Sequence, residues 1–139
     1  MKKITVIIEK STDLYSAYVP DDIKSIFING QGKSINEAIA DLKEAFSEAR
    51  ESYIKAGQPV QDDLAGEIEW VYKYDIVSLF DYFDEINLSS FARKNGLNES
   101  LLRKYRNRLA FASEKQCRKI EAGLHRLGTE LCAARLLPG

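Results

Sequence analysis

The sequence predicts an α+β fold: a small, antiparallel-rich sheet with one helix, followed by an all-α region. Short segments near the N-terminus are β-branched, a long segment after Ser34 has apolar residues every three or four positions, and from Asp75 onward the spacing is helical. Of the 139 residues, 45% are hydrophobic and 29% charged, which argues against intrinsic disorder. We expect an α+β domain over residues 1–74 and a helical domain over residues 75–139.

Four segments predict the strands of the first domain. Residues 3–9 are apolar on both faces, which favours a central strand. Residues 14–19 follow after a short polar turn and should pair with them as an antiparallel hairpin. Residues 25–29 predict a third strand, ended by the glycines that follow, and residues 67–74 alternate and are rich in aromatic side chains, which predicts a fourth.

Ser34 begins the helix that should cover this sheet. Ser34 and Glu37 have the spacing of a capping box, and Gly57 with Pro59 should end the helix before a polar link. Its apolar face comprises Ile35, Ala38, Ile39, Leu42, Phe46, Ala49 and Tyr53.

Four further helices are predicted after residue 74. Asp75 should cap the first, residues 88–95 form a short helix closed by Gly96, Asn98 caps the next, and Ser113 caps the last. The last helix carries an apolar stripe that is either core or a dimer seam: Cys117, Ile120, Leu124, Leu127 and Leu131.

The charge is strongly asymmetric along the chain. Residues 1–85 carry 9 Lys/Arg and 17 Asp/Glu, a net charge of −8, whereas residues 86–139 carry 11 and 4, a net charge of +7. A basic second half suggests a polyanionic partner. The alternative is that the two halves attract each other within one domain.

Residues 87–107 have the spacing of a helix-turn-helix. Ala92 is the small residue where two helices approach, Gly96 supplies the left-handed turn, and Leu97 and Leu102 should be buried beyond it. Phe91 and Tyr105 complete the apolar seam. This arrangement resembles the repressor type of helix-turn-helix found in the Xre/Cro family.

If that seam points inward, the opposite side of the second helix is a candidate DNA-binding surface. Arginine pairs bidentately with guanine and asparagine with adenine, and the first turns of such a helix enter the major groove. The alternative is a solvated basic face on a helical hairpin. The residues expected near bases are Ser100, Arg103, Lys104 and Asn107, and those expected near phosphates are Arg106, Arg108, Ser89 and Ser90.

No cofactor, metal site or catalytic residue is expected. Cys117 and Cys132 lie fifteen residues apart in one helical pattern, about 22 Å along the axis, so they should not pair with each other. His125 is the single histidine, which argues against a Cys/His metal site and a His-dependent catalytic set. A metal-dependent nuclease is disfavoured because the carboxylates at Glu9, Asp13, Glu67 and Glu69 do not form a full metal-binding set.

The expected location is the cytoplasm, with reduced thiols and no membrane partner. No apolar run approaches the roughly 20 residues of a membrane span, and the apolar stretch at residues 4–8 is shorter than a signal-peptide core.

The first half of the chain resembles the HicB antitoxin family. The resemblance lies in Glu9-Lys10 at the end of the first strand, the Tyr-Ser-Ala-x-Val-Pro-Asp stretch over residues 15–21, a glycine at 30 or 32, and Glu37-Ala38 at the helix start. It covers residues 3–53, and the downstream helix-turn-helix matches a common HicB arrangement.

This resemblance implies a partial RNase H-like fold without catalytic activity. It implies that residues 1–74 bind a HicA-like, mRNA-cleaving toxin, and that the C-terminal domain binds operator double-stranded DNA as a homodimer or higher homo-oligomer. The sequence departs from the family pattern after Pro-Asp, where it has Asp22-Ile23-Lys24-Ser25. The alternative is therefore an orphan DNA-binding regulator on the same scaffold, without a toxin.

Overall fold

A computed structural model describes residues 1–139 and confirms a mixed α+β protein with four strands and five α-helices. The chain forms two compact units, Met1–Tyr82 and Phe83–Gly139.

A four-stranded sheet, in the order β3-β2-β1-β4, organises the first unit. Strand β1 pairs antiparallel with β2 and parallel with β4, and β2 pairs antiparallel with β3. The central position expected for the first strand is confirmed, and two of the three pairings are antiparallel. The strands are β1 (Lys2–Lys10), β2 (Tyr15–Tyr18), β3 (Asn29–Gly32) and β4 (Ile68–Tyr74).

The third strand begins four residues later and ends three residues later than predicted from the sequence. Residues 25–29 were expected to form it, but β3 is Asn29–Gly32, and Ile26 and Phe27 lie exposed in the preceding loop. A Cβ atom on Gly30 would lie 2.3 Å from the backbone nitrogen of Leu42. The predicted bounds were wrong because Gly30 lies within the strand, where strand and helix approach closely, and the strand continues to Gly32.

Helix α1 (Ile35–Lys55) packs across the sheet through the predicted face. The Ser34 hydroxyl accepts the backbone N–H of Glu37 at 3.1 Å, and the Glu37 carboxylate accepts the backbone N–H of Lys33 at 2.8 Å. Five of the seven predicted residues are buried and Ile39 and Tyr53 partly so. They cover the fully buried side chains of Ile4, Val6 and Ile8 on β1.

The polar link between α1 and β4 is more ordered than its composition suggests. It contains a short 3₁₀ helix, Asp62–Leu64, and Leu64 is fully buried. Arg50 donates to the backbone oxygens of Leu64 and Gly66 at 2.7 and 2.8 Å. The Asp63 carboxylate accepts the backbone N–H groups of Lys24 and Ser25 and the Ser25 hydroxyl, at 2.8 to 2.9 Å.

Helix α2 (Ile76–Tyr82) belongs to the first unit, although the sequence analysis placed it in the second domain. Asp75 caps it by accepting the backbone N–H of Ser78 at 2.8 Å. Asp81 forms an ion pair with Lys10 of β1, and Tyr82 stacks on Tyr74 of β4 with ring centroids 6.2 Å apart. These contacts with the sheet explain why the boundary between the units follows Tyr82 and not Tyr74.

Three helices form the second unit: α3 (Leu88–Lys94), α4 (Glu99–Arg106) and α5 (Glu114–Ala133). Their predicted caps Asn98 and Ser113 are confirmed, and Asn87 caps α3. None of the helices combines the length and hydropathy that a membrane span requires. The buried hydrophobic residues of this unit are Phe91, Ala92, Leu102, Tyr105 and Ile120.

Candidate nucleic-acid interface

The turn between α3 and α4 has the left-handed glycine that the spacing predicts. Gly96 has φ = +64°. The backbone N–H of Leu97 donates to the oxygen of Ala92 at 2.9 Å, and that of Gly96 donates to the oxygen of Arg93 at 3.4 Å. These are the two hydrogen bonds of a Schellman motif, which ends α3 and directs the chain into α4.

Helix α4 buries one side and exposes the other. Its cap, Asn98, accepts the backbone N–H of Leu101 at 2.9 Å. Leu102 and Tyr105 are buried, as the apolar seam requires, whereas Leu97, which was also expected to be buried, is only half-buried. Six of the eight candidate DNA-binding residues are exposed and the other two, Ser89 and Ser90 on α3, are half-buried; the exposed ones are Ser100, Arg103, Lys104, Arg106, Asn107 and Arg108.

A second Schellman motif ends α4, with arginine where glycine is usual. Arg108 has φ = +62° and is the one non-glycine residue of the chain with positive φ. The backbone N–H of Leu109 donates to the oxygen of Lys104 at 2.8 Å, and that of Arg108 to the oxygen of Tyr105 at 3.2 Å. This conformation costs a side-chain-bearing residue about 1–2 kcal/mol. Because position 108 is not a glycine, this second motif could not be predicted from the sequence.

Arg103 is held by two acceptors on two helices. Its Nη2 atom donates to the Glu99 carboxylate, one turn earlier on α4, and to the Ser89 hydroxyl on α3 at 3.2 Å. The Ser89 hydroxyl, followed by the charges of Arg103 and Arg93, holds the pKa of the Glu99 carboxyl below its ordinary value of 4.5. The sequence analysis missed Glu99, although its spacing of four residues from Arg103 is that of a helical ion pair.

Helix α5 approaches the turn closely at Gly123. A Cβ atom there would lie 2.6 Å from the Oδ1 atom of Asn95, the residue that caps the C-terminus of α3. Asn95 donates to the Phe91 backbone oxygen at 2.8 Å and accepts from Arg126 at 3.3 Å. Glycine at 123 therefore lets α5 support the end of α3 directly.

Only part of the apolar stripe on α5 serves as core. Ile120 is buried, Cys117, Leu124 and Leu127 are half-buried, and Leu131 is 65% exposed. Leu136 and Leu137, beyond the helix, are almost fully exposed. The C-terminal part of the stripe is thus open to another molecule.

The charge difference follows the two compact units. Residues 1–82 carry 9 Lys/Arg and 15 Asp/Glu, a net charge of −6, and residues 83–139 carry 11 and 6, a net charge of +5. No three His, Cys, Asp or Glu side chains converge in an arrangement that could hold a metal ion.

Comparison with known proteins adds no relative to this picture. No protein-family model, curated protein or solved structure matches the chain significantly.

Proposed function

We propose that the protein is a HicB-like antitoxin whose second unit binds operator double-stranded DNA and whose first unit binds a HicA-like toxin. The observation that carries the proposal is the geometry of α3, the Gly96 turn and α4. Two short helices joined by a tight turn bury an apolar seam and leave the cationic side of the second helix exposed. This is the arrangement by which a helix-turn-helix offers its second helix to the major groove.

Several features of the second unit favour DNA over a merely solvated basic face. Arg103 and Lys104 are exposed at the centre of α4, and Arg106, Asn107 and Arg108 continue the exposed surface at its end. The net charge of +5 in this unit supplies long-range attraction for a polyanion.

Two copies of the chain are expected to bind one operator. A helix-turn-helix commonly reads two half-sites through a symmetric dimer. The stripe on α5 has the three-and-four spacing of a helix-helix seam, and its C-terminal end at Leu131 is exposed. We assign the dimer surface to this end of α5.

Two features of the first unit support a basic protein partner. Its net charge of −6 suits a partner that binds RNA. Phe27 is 67% exposed and Ile26 46% exposed, in a loop that Asp63 fixes through Lys24 and Ser25. An exposed apolar pair on a fixed loop of an acidic unit is a suitable contact for such a protein.

The DNA-binding half is tested with duplex DNA from upstream of the protein's own reading frame. Replacing Arg103 by Ala should weaken binding by about 1–3 kcal/mol and relax base preference at one position. Arg118→Ala, on α5, is the control because Arg118 is also exposed and pairs only loosely with Glu114, at 3.9 Å. Fluorescence anisotropy titrations measure both. Equal effects of the two substitutions would refute the assignment of α4 to the groove.

The toxin-binding half is tested by co-expression with the small protein encoded in the adjacent reading frame. The wild type should co-purify with it, and Phe27→Ser should reduce the recovered complex. Ile54→Ser, at an exposed position on α1, is the matched control. DNA binding without any such neighbour would instead favour the orphan regulator.

A further inference from the structure

The guanidinium group of Arg103 is already occupied in the free protein. The group can approach a base edge with either of two pairs of N–H donors, Nε with Nη2 or Nη1 with Nη2, and both pairs include Nη2. Nη2 is the atom that donates to Glu99 and Ser89. Bidentate recognition of guanine by Arg103 therefore requires that at least one of these two contacts is given up.

The two contacts differ in strength. The bond to the Ser89 hydroxyl is a charged-to-neutral contact at 3.2 Å, whereas the bond to Glu99 joins opposite charges across one helical turn. The Glu99 side chain is about one-third exposed and that of Arg103 about half exposed, so the pair lies at the surface that would face DNA. Both bonds have a charged donor, but only the Glu99 contact adds the attraction between two opposite charges, so it is the stronger restraint.

We propose that Glu99 is a specificity-determining residue that acts through Arg103, on the basis that the second unit binds DNA as proposed above. The carboxylate keeps Arg103 from contacting phosphates indiscriminately and releases it only where the guanidinium gains two hydrogen bonds from a guanine edge. While Glu99 and Arg103 stay paired, their charges cancel, so a phosphate is attracted to the pair less than it would be to an unpaired arginine. Glu99 thus weakens binding to DNA of arbitrary sequence more than binding to the operator.

The substitution Glu99→Gln tests this inference, because it removes the charge and keeps the shape. The probe is a pool of DNA duplexes with 20 randomised base pairs, used first without selection and then after selection for bound sequences. We expect Glu99→Gln to bind the unselected pool about 3- to 10-fold more tightly than the wild type. Its salt dependence should steepen by about one phosphate contact, and the selected sequences should lose a guanine preference at one position.

The matched control is Glu114→Gln on α5. Glu114 is also an acidic residue in the first turn of a helix with an arginine four residues later. An equal gain in pool binding from Glu114→Gln, or no gain from Glu99→Gln, would overturn the inference. Thermal unfolding of both variants checks that the fold is kept.

A double substitution separates action through Arg103 from direct repulsion of phosphates by Glu99. In an Arg103→Ala background, Glu99→Gln should change pool binding by less than twofold. A full gain in that background would refute the role of Arg103. If the wild type binds neither the pool nor any selected sequence, the proposed function itself is refuted, and this inference with it.

Discussion

Arg108 occupies a backbone conformation that its side chain disfavours. With φ = +62° at the position after the cap of α4, it stands where most helices of this kind have glycine. The arginine adds a positive charge to the exposed surface at the end of α4, which glycine would not.

Substitution of Arg108 separates the cost of its left-handed backbone conformation from the contribution of its side chain to DNA binding. Arg108→Gly and Arg108→Ala both remove the side chain, but only glycine relieves the backbone strain. We expect Arg108→Gly to be about 1 kcal/mol more stable than Arg108→Ala, with DNA binding weakened equally in both. Urea unfolding and anisotropy titrations measure these quantities. Equal stability of the two variants would contradict the left-handed conformation.

Asp63 should make the folding stability of the first unit dependent on pH, because its carboxylate holds the loop at Lys24 and Ser25. Partial burial alone would raise the pKa of its carboxyl, but hydrogen bonds from Ser25 and Lys24 outweigh burial and hold the pKa below the ordinary value of 3.8. A carboxyl with a lowered pKa in the folded state stabilises the fold above its unfolded pKa. That stability is lost as the pH falls through the lower, folded pKa.

The variant Asp63→Asn removes this titration. The difference in unfolding free energy between wild type and variant should be largest at neutral pH and should shrink below about pH 4. Thermal unfolding between neutral and acidic pH measures it. A difference that stays constant over that range would show that the charge of Asp63 does not hold Lys24 and Ser25.

At the scale of elements, the contact between β3 and α1 depends on the absence of a side chain. A methyl group on Gly30 would meet backbone atoms of Ala38 and Leu42, which cannot rotate away. The helix and the strand would have to separate.

Gly30→Ala should therefore destabilise the protein by about 1–3 kcal/mol or more. Gly128→Ala is the control because Gly128 lies within α5 with open space around it, and alanine there should add about 0.5–1 kcal/mol of stability. Urea unfolding of both variants is the measurement. If Gly30→Ala lowered the free energy of unfolding by no more than Gly128→Ala changes it, the close approach of β3 and α1 would be contradicted.

Local sequence patterns predicted the helices and strands better than they predicted which elements pack or pair with each other. The capping box at Ser34, the face of α1 and the left-handed turn at Gly96 depend on neighbours in sequence, and each was predictable. The alternation in residues 67–74 predicted a strand, but not its parallel pairing with β1. Gly30 was misjudged because a glycine that ends a strand and one that admits a helix look alike in sequence.

At the scale of the whole molecule, the sequence predicted two parts of opposite charge but not where one ends. Helix α2 joins the first unit through Asp81 and Tyr82, long-range contacts that no local pattern reveals. The candidate site was predicted as a set of arginine, lysine, serine and asparagine side chains that could donate hydrogen bonds to DNA. Glu99 was not in that set, because a carboxylate is not expected to contact DNA, although it pairs with Arg103 in the structure.

The anchored connection between α1 and β4 limits where the molecule can be engineered. Leu64 fills the core, and Arg50 and Asp63 fasten the backbone on either side of it, so a fusion or epitope placed within Asp62–Leu64 would displace buried groups. The loop at Gly57, where an added Cβ would meet no atom within 4 Å, is the better place for an inserted purification label. Such a label would lie on the first unit, whereas the residues assigned to DNA binding belong to the second.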